Sequence, residues 1–230
     1  MRIAVIGTGG VGGYFGARLS EAGEDVTFIA RGAHLEAMKN KGLAIHSPLG
    51  NMHLDKIQCT DDPSTIAPVD IVMIAVKLWA TNEAIEAARP LLSEGTGIIS
   101  FQNGILAEEL LLKAFTKTHA MGGVANIAAL IEEPGVIRHN GTMASLFFGE
   151  LDNESSSRSK LLLEACEKAN ITASIPEDIN RAIWEKYIRL VTMAAMTTIC
   201  RMPIGPIRND TDTRSLLTQI LSEIIAVAKA

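Results

Sequence analysis

Cysteine is scarce: Cys59, Cys166 and Cys200 form no CxxC pair and have no histidine cluster beside them. That spacing argues against a metal centre, and the count is too low for a disulfide scaffold in 230 residues. Each cysteine reads as a small hydrophobe. Positive charge is also in deficit, with 21 Lys and Arg against 26 Asp and Glu, a formal net charge of −5 and a pI near 5.6. This balance excludes general affinity for nucleic acid or anionic membranes, although an acidic chain can still hold a local basic site. No unbroken apolar run is long enough to span a bilayer, and the opening run Ile3–Ile6 is too short for a signal peptide. A soluble, cytoplasmic protein is expected.

What is present is apolar material: 47% of residues are hydrophobic, only 20% are charged, and the mean hydropathy is +0.21. One large domain or two modest ones can be built from it, without long disorder. Ile3–Ile6 has the continuous apolar character of a strand buried on both faces. A glycine turn, Gly7 to Gly13, leads into a helix over Tyr14–Ala22, which Gly23 stops before a second strand, Val26–Ile29. This is one βαβ unit. Further strands are predicted at Ile71–Val76, Gly97–Phe101, His119–Val124 and Thr142–Phe148, with helices at Asn82–Leu92 and Ala107–Phe115. The span Leu43–Gln58, punctuated by Pro48 and Gly50, reads as a hairpin or loop. The alternation predicts an α/β fold, a Rossmann-type doubly wound parallel sheet.

The texture then changes. A polar loop at Asn153–Ser159 precedes a helix over Ser159–Ala169, and strand signals stop after Pro176. Ile179–Cys200 reads as one long helix, Pro203-Ile204-Gly205-Pro206 interrupts, and Thr211–Ala230 reads as another. The expected division is residues 1–175 for nucleotide binding and 176–230 for the first part of a helical substrate or dimerisation domain. The last helix carries an apolar stripe from Leu216 to Val227 with nothing after it to cover it. That pattern suggests a continuation of the chain or a second subunit, and a homodimer is expected.

Gly7-x-Gly9-x-x-Gly12 lies between predicted strand and helix, the context that separates a dinucleotide fingerprint from a chance match. The first glycine permits the turn, the second admits the diphosphate, and the third lets helix pack on strand. Amides of Thr8, Gly10 and Val11 complete the candidate phosphate cradle at the positive end of the helix. The second strand ends Phe28-Ile29-Ala30-Arg31, with no acid to accept from a ribose. Arg31 can hold a 2′-phosphate through charge-assisted bonds, which selects NADP(H); an ordinary exposed arginine is the alternative. Lys77 follows the third strand, where a lysine can reach the phosphates or serve only as a surface charge. Asn103, in Gln102-Asn103-Gly104, can touch the nicotinamide ribose and the substrate, although Asn-Gly is also a common turn.

Taken together, Gly7 to Leu19, Ala30-Arg31-Gly32, Val76-Lys77, Gln102-Asn103-Gly104 and Trp184-Glu185-Lys186 resemble the ketopantoate reductase family (2-dehydropantoate 2-reductase). The resemblance runs from residue 1 to about residue 215. It implies an NADP-binding domain joined to a helical domain, and NADPH-dependent reduction of a 2-oxo acid in pantothenate biosynthesis. It also implies that Lys186 is the catalytic general acid and that Asn103 assists it. An ammonium near the ketone oxygen would stabilise and then protonate it.

Two departures stand beside the resemblance. Family members often carry asparagines one and two turns after that lysine, where this chain has Leu190 and Ala194; Thr192, Thr197 and Thr198 are nearby. The family's later serine and glutamate belong to a segment beyond residue 230. A reductase of another branched 2-oxo acid, or a non-catalytic NADP-binding module, are therefore the competing expectations.

Overall fold

The computed structural model describes residues 1–115 and 117–229. Its first strand shows why the apolar runs become a layered sheet. In β1 (Arg2–Ile6), Ile3 and Val5 point into one core while Ala4 and Ile6 point into another. A strand buried on both faces needs helices on both sides, and the chain supplies them. On one face lie α1 (Gly10–Glu21), α2 (Gly32–Lys41) and α5 (Ser157–Lys168), which bury Phe15, Leu19, Leu35, Met38 and Leu162. On the other lie α3 (Thr81–Ala88) and α4 (Ala107–Ala114), which bury Ala84, Ile85, Ala88 and Leu111.

The remaining strands are β2 (Asp25–Ile29), β3 (Leu43–His46), β4 (Met52–Leu54), β5 (Gln58–Thr60), β6 (Ile71–Ile74), β7 (Gly97–Ser100), β8 (Ala120–Glu133), β9 (Val136–Glu150) and β10 (Thr172–Ser174). They form one sheet in the order β4-β3-β9-β8-β7-β6-β1-β2-β5, with β10 paired to β9. From β5 to β8 all neighbours are parallel, and β1 sits between β2 and β6. The strand order reverses at β1, which opens a crevice at its carboxyl end. The doubly wound α/β architecture expected from the alternation is present.

The sheet is more mixed than the pattern suggested. The strands expected at His119–Val124 and Thr142–Phe148 are the cores of a long antiparallel hairpin, β8–β9, in register from Met121↔Glu150 to Glu133↔Val136. Its outer half is largely exposed and interrupted by bulges at Ile127/Ala128 and Ile131/Glu133, so burial never imposed a clean alternation on the sequence. Helix α2 escaped prediction because only Leu35 and Met38 are buried along it. The Leu43–Gln58 span does contain a hairpin, β3–β4, followed by the β5 edge strand. Strand β6 stops at Ile74, and α1 begins at Gly10, earlier than Tyr14.

By contact density the chain divides into Met1–Ile179 and Asn180–Ala230. The second unit contains most of α6 (Ile179–Cys200), then α7 (Ile204–Asn209) and α8 (Thr211–Lys229). Pro203 and Pro206 start α7 where an N–H would have no acceptor, so the prolines launch a short helix instead of a loop. Asp210 caps α8 by accepting from the Thr213 N–H at 2.9 Å, and these bonds hold its carboxyl below the usual carboxylate range. No residue of α8 is fully buried. No helix is long and apolar enough to cross a membrane among the described residues.

Phe28 on β2 and Gly16 on α1 interlock: a Cβ at Gly16 would stand 2.7 Å from the Phe28 ring. Phe28→Ala is expected to lower unfolding stability by about 3–5 kcal/mol in a urea titration followed by circular dichroism. A loss below about 1 kcal/mol would contradict this packing.

Candidate active site

At the carboxyl end of β1 the chain turns sharply. Gly7 has φ +93°, and a Cβ there would meet Val76 at 2.7 Å. Gly12 packs α1 on the strand; a Cβ would lie 2.4 Å from the Gly7 carbonyl and 2.8 Å from Val5. At Gly10 the limit is different, because the Ala129 carbonyl of β8 would stand 2.2 Å from an added Cβ. At Gly9, by contrast, no atom of the described residues lies within 4 Å of that position. The loop is thus clamped at Gly7, Gly10 and Gly12 and left open at Gly9.

The amides divide in the same way. Gly7 and Thr8 donate their N–H groups to the Ile29 carbonyl at 3.2 and 3.3 Å, and Thr8 Oγ1 donates to it at 3.1 Å. The first-turn amides of α1, Val11 included, have no intrahelical acceptor. Gly9 offers no side-chain cap, and the first turn holds no acidic residue. Bare amides at the positive end of a helix, beside an open glycine, suit a diphosphate.

This turn forms one wall of a crevice of about 260 Å³, lined by Ile6, Gly7, Thr8, Gly9, Ile29, Ala30, Arg31, His34, Asp61, Pro63, Val76, Ala80, Glu83, Ala84, Ala87 and Ile131. Four contributors were invisible along the sequence. Ile131 arrives on the β8–β9 hairpin and Asp61 follows β5. Glu83 stands in the first turn of α3 and meets Arg31, with Nη1 donating to Oε2 at 2.8 Å. The end of β2 has no acid, yet the fold brings one to its arginine.

His34 is the fourth. The Gly135 N–H donates to its Nδ1 at 3.0 Å, so the neutral ring carries its proton on Nε2. Burial pushes its pKa below 6.5, and the backbone of Thr8 offsets part of that shift. The ring therefore straps the β8–β9 turn to α2 beside the glycine loop.

Of the other sequence candidates, Lys77 is exposed and immediately follows the lining residue Val76. Asn103 is exposed beyond β7 and outside the crevice lining. Its neighbour Gln102, part of the same Gln-Asn-Gly motif, is the anchor of this region. Gln102 Nε2 donates to the Val76 carbonyl at 3.0 Å and to Thr81 Oγ1 at 2.9 Å, while its Oε1 accepts from Ser100 at 3.1 Å. A polar residue ending an apolar strand was the available signal.

Lys186 lies in the second unit, on α6, and is 9% exposed. Trp184 and Tyr187 stack edge to face at 5.8 Å, and Arg181 pairs with Glu185 at 2.8 Å. Thr192 is buried and its Oγ1 makes no hydrogen bond among the described residues, whereas Thr197 returns its hydroxyl to the Met193 carbonyl at 2.8 Å. Cys166 is fully buried, and its thiol is pushed up to about 12 by burial, as suits a packing residue.

A doubly wound sheet with a glycine turn at its reversal point is the architecture of the dinucleotide-binding folds. The profile described as ketopantoate reductase PanE/ApbA matches residues 3–153, and the profile of its C-terminal part matches 178–230. The chain belongs to the ketopantoate reductase family. It is 34% identical to a Bacillus subtilis protein named uncharacterized oxidoreductase YkpB, over all of this chain and 75% of that one. It is 33% identical to a 2-dehydropantoate 2-reductase of Archaeoglobus fulgidus, over 90% of this chain and 66% of that one. The crystal structure of 2-dehydropantoate 2-reductase from Geobacter metallireducens superposes with TM-score 0.92 at 33% identity, covering 100% of this chain and 76% of that one. A D-mandelate dehydrogenase solved with NADH shares the fold, with TM-score 0.88 at 21% identity over all of this chain and 74% of that one.

Two outcomes follow from this geometry. Gly9→Ala is expected to leave the melting temperature unchanged while weakening dinucleotide binding at least about tenfold, because only a ligand approaches that position. Gly10→Ala is expected to lower the melting temperature, through its clash with Ala129. Equal thermal effects would contradict the division between clamped and open glycines. For His34, the neutral form is favoured in the fold, so its contribution is present above pH 6.5 and lost as pH falls below that value. Lowering the pH from about 7.5 to about 5.5 should depress the melting temperature more in the parent protein than in His34→Gln. Parallel pH profiles would remove His34 as the sensitive group.

Proposed function

We propose that this protein uses NADPH to reduce the keto group of a 2-oxo acid, with 2-dehydropantoate as the substrate and pantoate as the product. The observation that carries the reading is the union, in one crevice, of the open Gly9 turn and the Arg31 guanidinium. The names of the Archaeoglobus fulgidus and Geobacter metallireducens relatives support the choice of substrate.

When bound, NADPH supplies a hydride to the ketone carbon. The first-turn amides of α1 hold the diphosphate, and Arg31, with Lys77 at the edge, holds the 2′-phosphate. Asn103 orients the nicotinamide ribose and the substrate. Lys186 neutralises the charge that develops on the keto oxygen and gives that oxygen its proton. Its burial strengthens this interaction, because an ammonium acts over a greater range where water is excluded.

A second reading concerns the substrate alone. Leu190 and Ala194 place apolar side chains one and two turns after Lys186. They favour a branched 2-oxo acid with a more apolar side chain than ketopantoate.

Turnover assays following NADPH oxidation with a panel of 2-oxo acids test both. Lys186→Ala is expected to lower kcat at least about 100-fold and to change NADPH affinity by no more than about twofold. Unchanged kcat would remove Lys186 as the acid. The parent protein should bind NADPH at least about tenfold more tightly than NADH, and Arg31→Ala should erase most of that difference. Equal affinities in the parent would remove the NADP assignment.

A further inference from the structure

The Arg31 guanidinium is already engaged. Nη1 donates to Glu83 Oε2 at 2.8 Å, and Arg31 and Glu83 are 70% and 64% exposed. Both line the crevice of the glycine turn, and Asp61 lines it as well. The crevice lining thus holds one guanidinium and two carboxylates, and burial pushes the His34 imidazole pKa down. This is a weaker anion trap than Arg31 alone would make.

We propose that Glu83 is a specificity-determining residue that limits the preference for a 2′-phosphorylated cofactor by competing with the 2′-phosphate for Arg31. The inference rests on the NADP(H) reading above and deepens it. A 2′-phosphate carries more than one negative charge near neutral pH, so beside Arg31 it is repelled by the Glu83 carboxylate. A 2′-hydroxyl has no such charge, and a carboxylate can accept a hydrogen bond from it. Glu83 thus acts in opposite directions on the two cofactors. Its bond to Arg31 is an exposed ion pair, weak enough to be displaced, so the phosphate is disfavoured and not excluded.

An acid in the first turn of a helix also has a local role, since it complements the positive end of α3. The test must separate that role from ligand discrimination. Glu83→Gln keeps the hydrogen-bonding shape and removes the charge; Glu83→Asp keeps the charge. A merely helical role would change thermal stability without altering the choice between ligands.

The probes are adenosine 2′,5′-bisphosphate and adenosine 5′-monophosphate, which differ only in the 2′-phosphate, titrated calorimetrically into the full chain, with NADPH and NADH as a second pair. In Glu83→Gln the ratio of bisphosphate to monophosphate affinity is expected to rise about three- to tenfold, and the NADPH to NADH ratio to rise with it. Glu83→Asp should keep the ratio within about twofold of the parent, because the charge remains. A ratio unchanged or lowered in Glu83→Gln overturns the proposal; a lowered one would make Glu83 a positioning residue for Arg31. Arg31→Ala, measured in parallel, distinguishes the two failures. If it lowers bisphosphate affinity while Glu83→Gln changes nothing, the NADP(H) reading stands and the Glu83 proposal falls. If neither substitution alters the ratio, both fall.

Discussion

The glycine turn after β1 is the constraint on which the site depends. Three of its positions cannot carry a side chain, each for a different reason: Val76 stands against Gly7, the Ala129 carbonyl against Gly10, and Val5 with the Gly7 carbonyl against Gly12. These contacts come from the turn after β6, from the β8–β9 hairpin and from β1 with the turn that follows it. They fix the start of α1 in space, so the helix presents its unpaired amides to one place only. Gly9, where no atom of the described residues comes within 4 Å of an added Cβ, leaves a gap through which a ligand can approach. Rigidity around an opening is what pre-organised anion binding requires, because the amides need not reorganise when charge arrives.

Electrostatics then divides the crevice. At the helix end, no acid stands in the first turn of α1, so the field there is set by the peptide dipoles. At the other end, Arg31 meets Glu83 and shares the crevice with Asp61. The helix end favours an anion, whereas at the other end one guanidinium stands among two carboxylates. Bare amides of this kind suit the diphosphate that all nicotinamide dinucleotides share. Lys186 is buried on α6, in the second unit.

Much of the fold was legible in the sequence because local signals and tertiary needs agreed. Ile71–Ile74 is apolar throughout and buried on both faces, and the α6 bounds Ile179–Cys200 follow from an uninterrupted helical pattern before Pro203. The cofactor turn was legible because its glycines are spaced by geometry. Legibility failed where tertiary structure supplied what the local pattern lacked. Helix α2 buries only two residues, and the outer half of the β8–β9 hairpin is held by cross-strand pairing with little burial. The partners of the site failed for the same reason. Glu83 is 52 positions from Arg31 and Gly135 is 101 positions from His34, and no spacing rule links them. A sequence shows that Arg31 is positive; only the fold shows what already neutralises it.

Amide chemical shifts read the bare amides beside Gly9 directly. In a ¹⁵N-labelled sample titrated with NADPH, the amide signals of Gly9, Gly10 and Val11 should show the largest displacements. Those of Gly7 and Thr8, already donated to Ile29, should move less. Saturating NADPH that leaves Gly9, Gly10 and Val11 unmoved, while shifting amides elsewhere, would contradict the account.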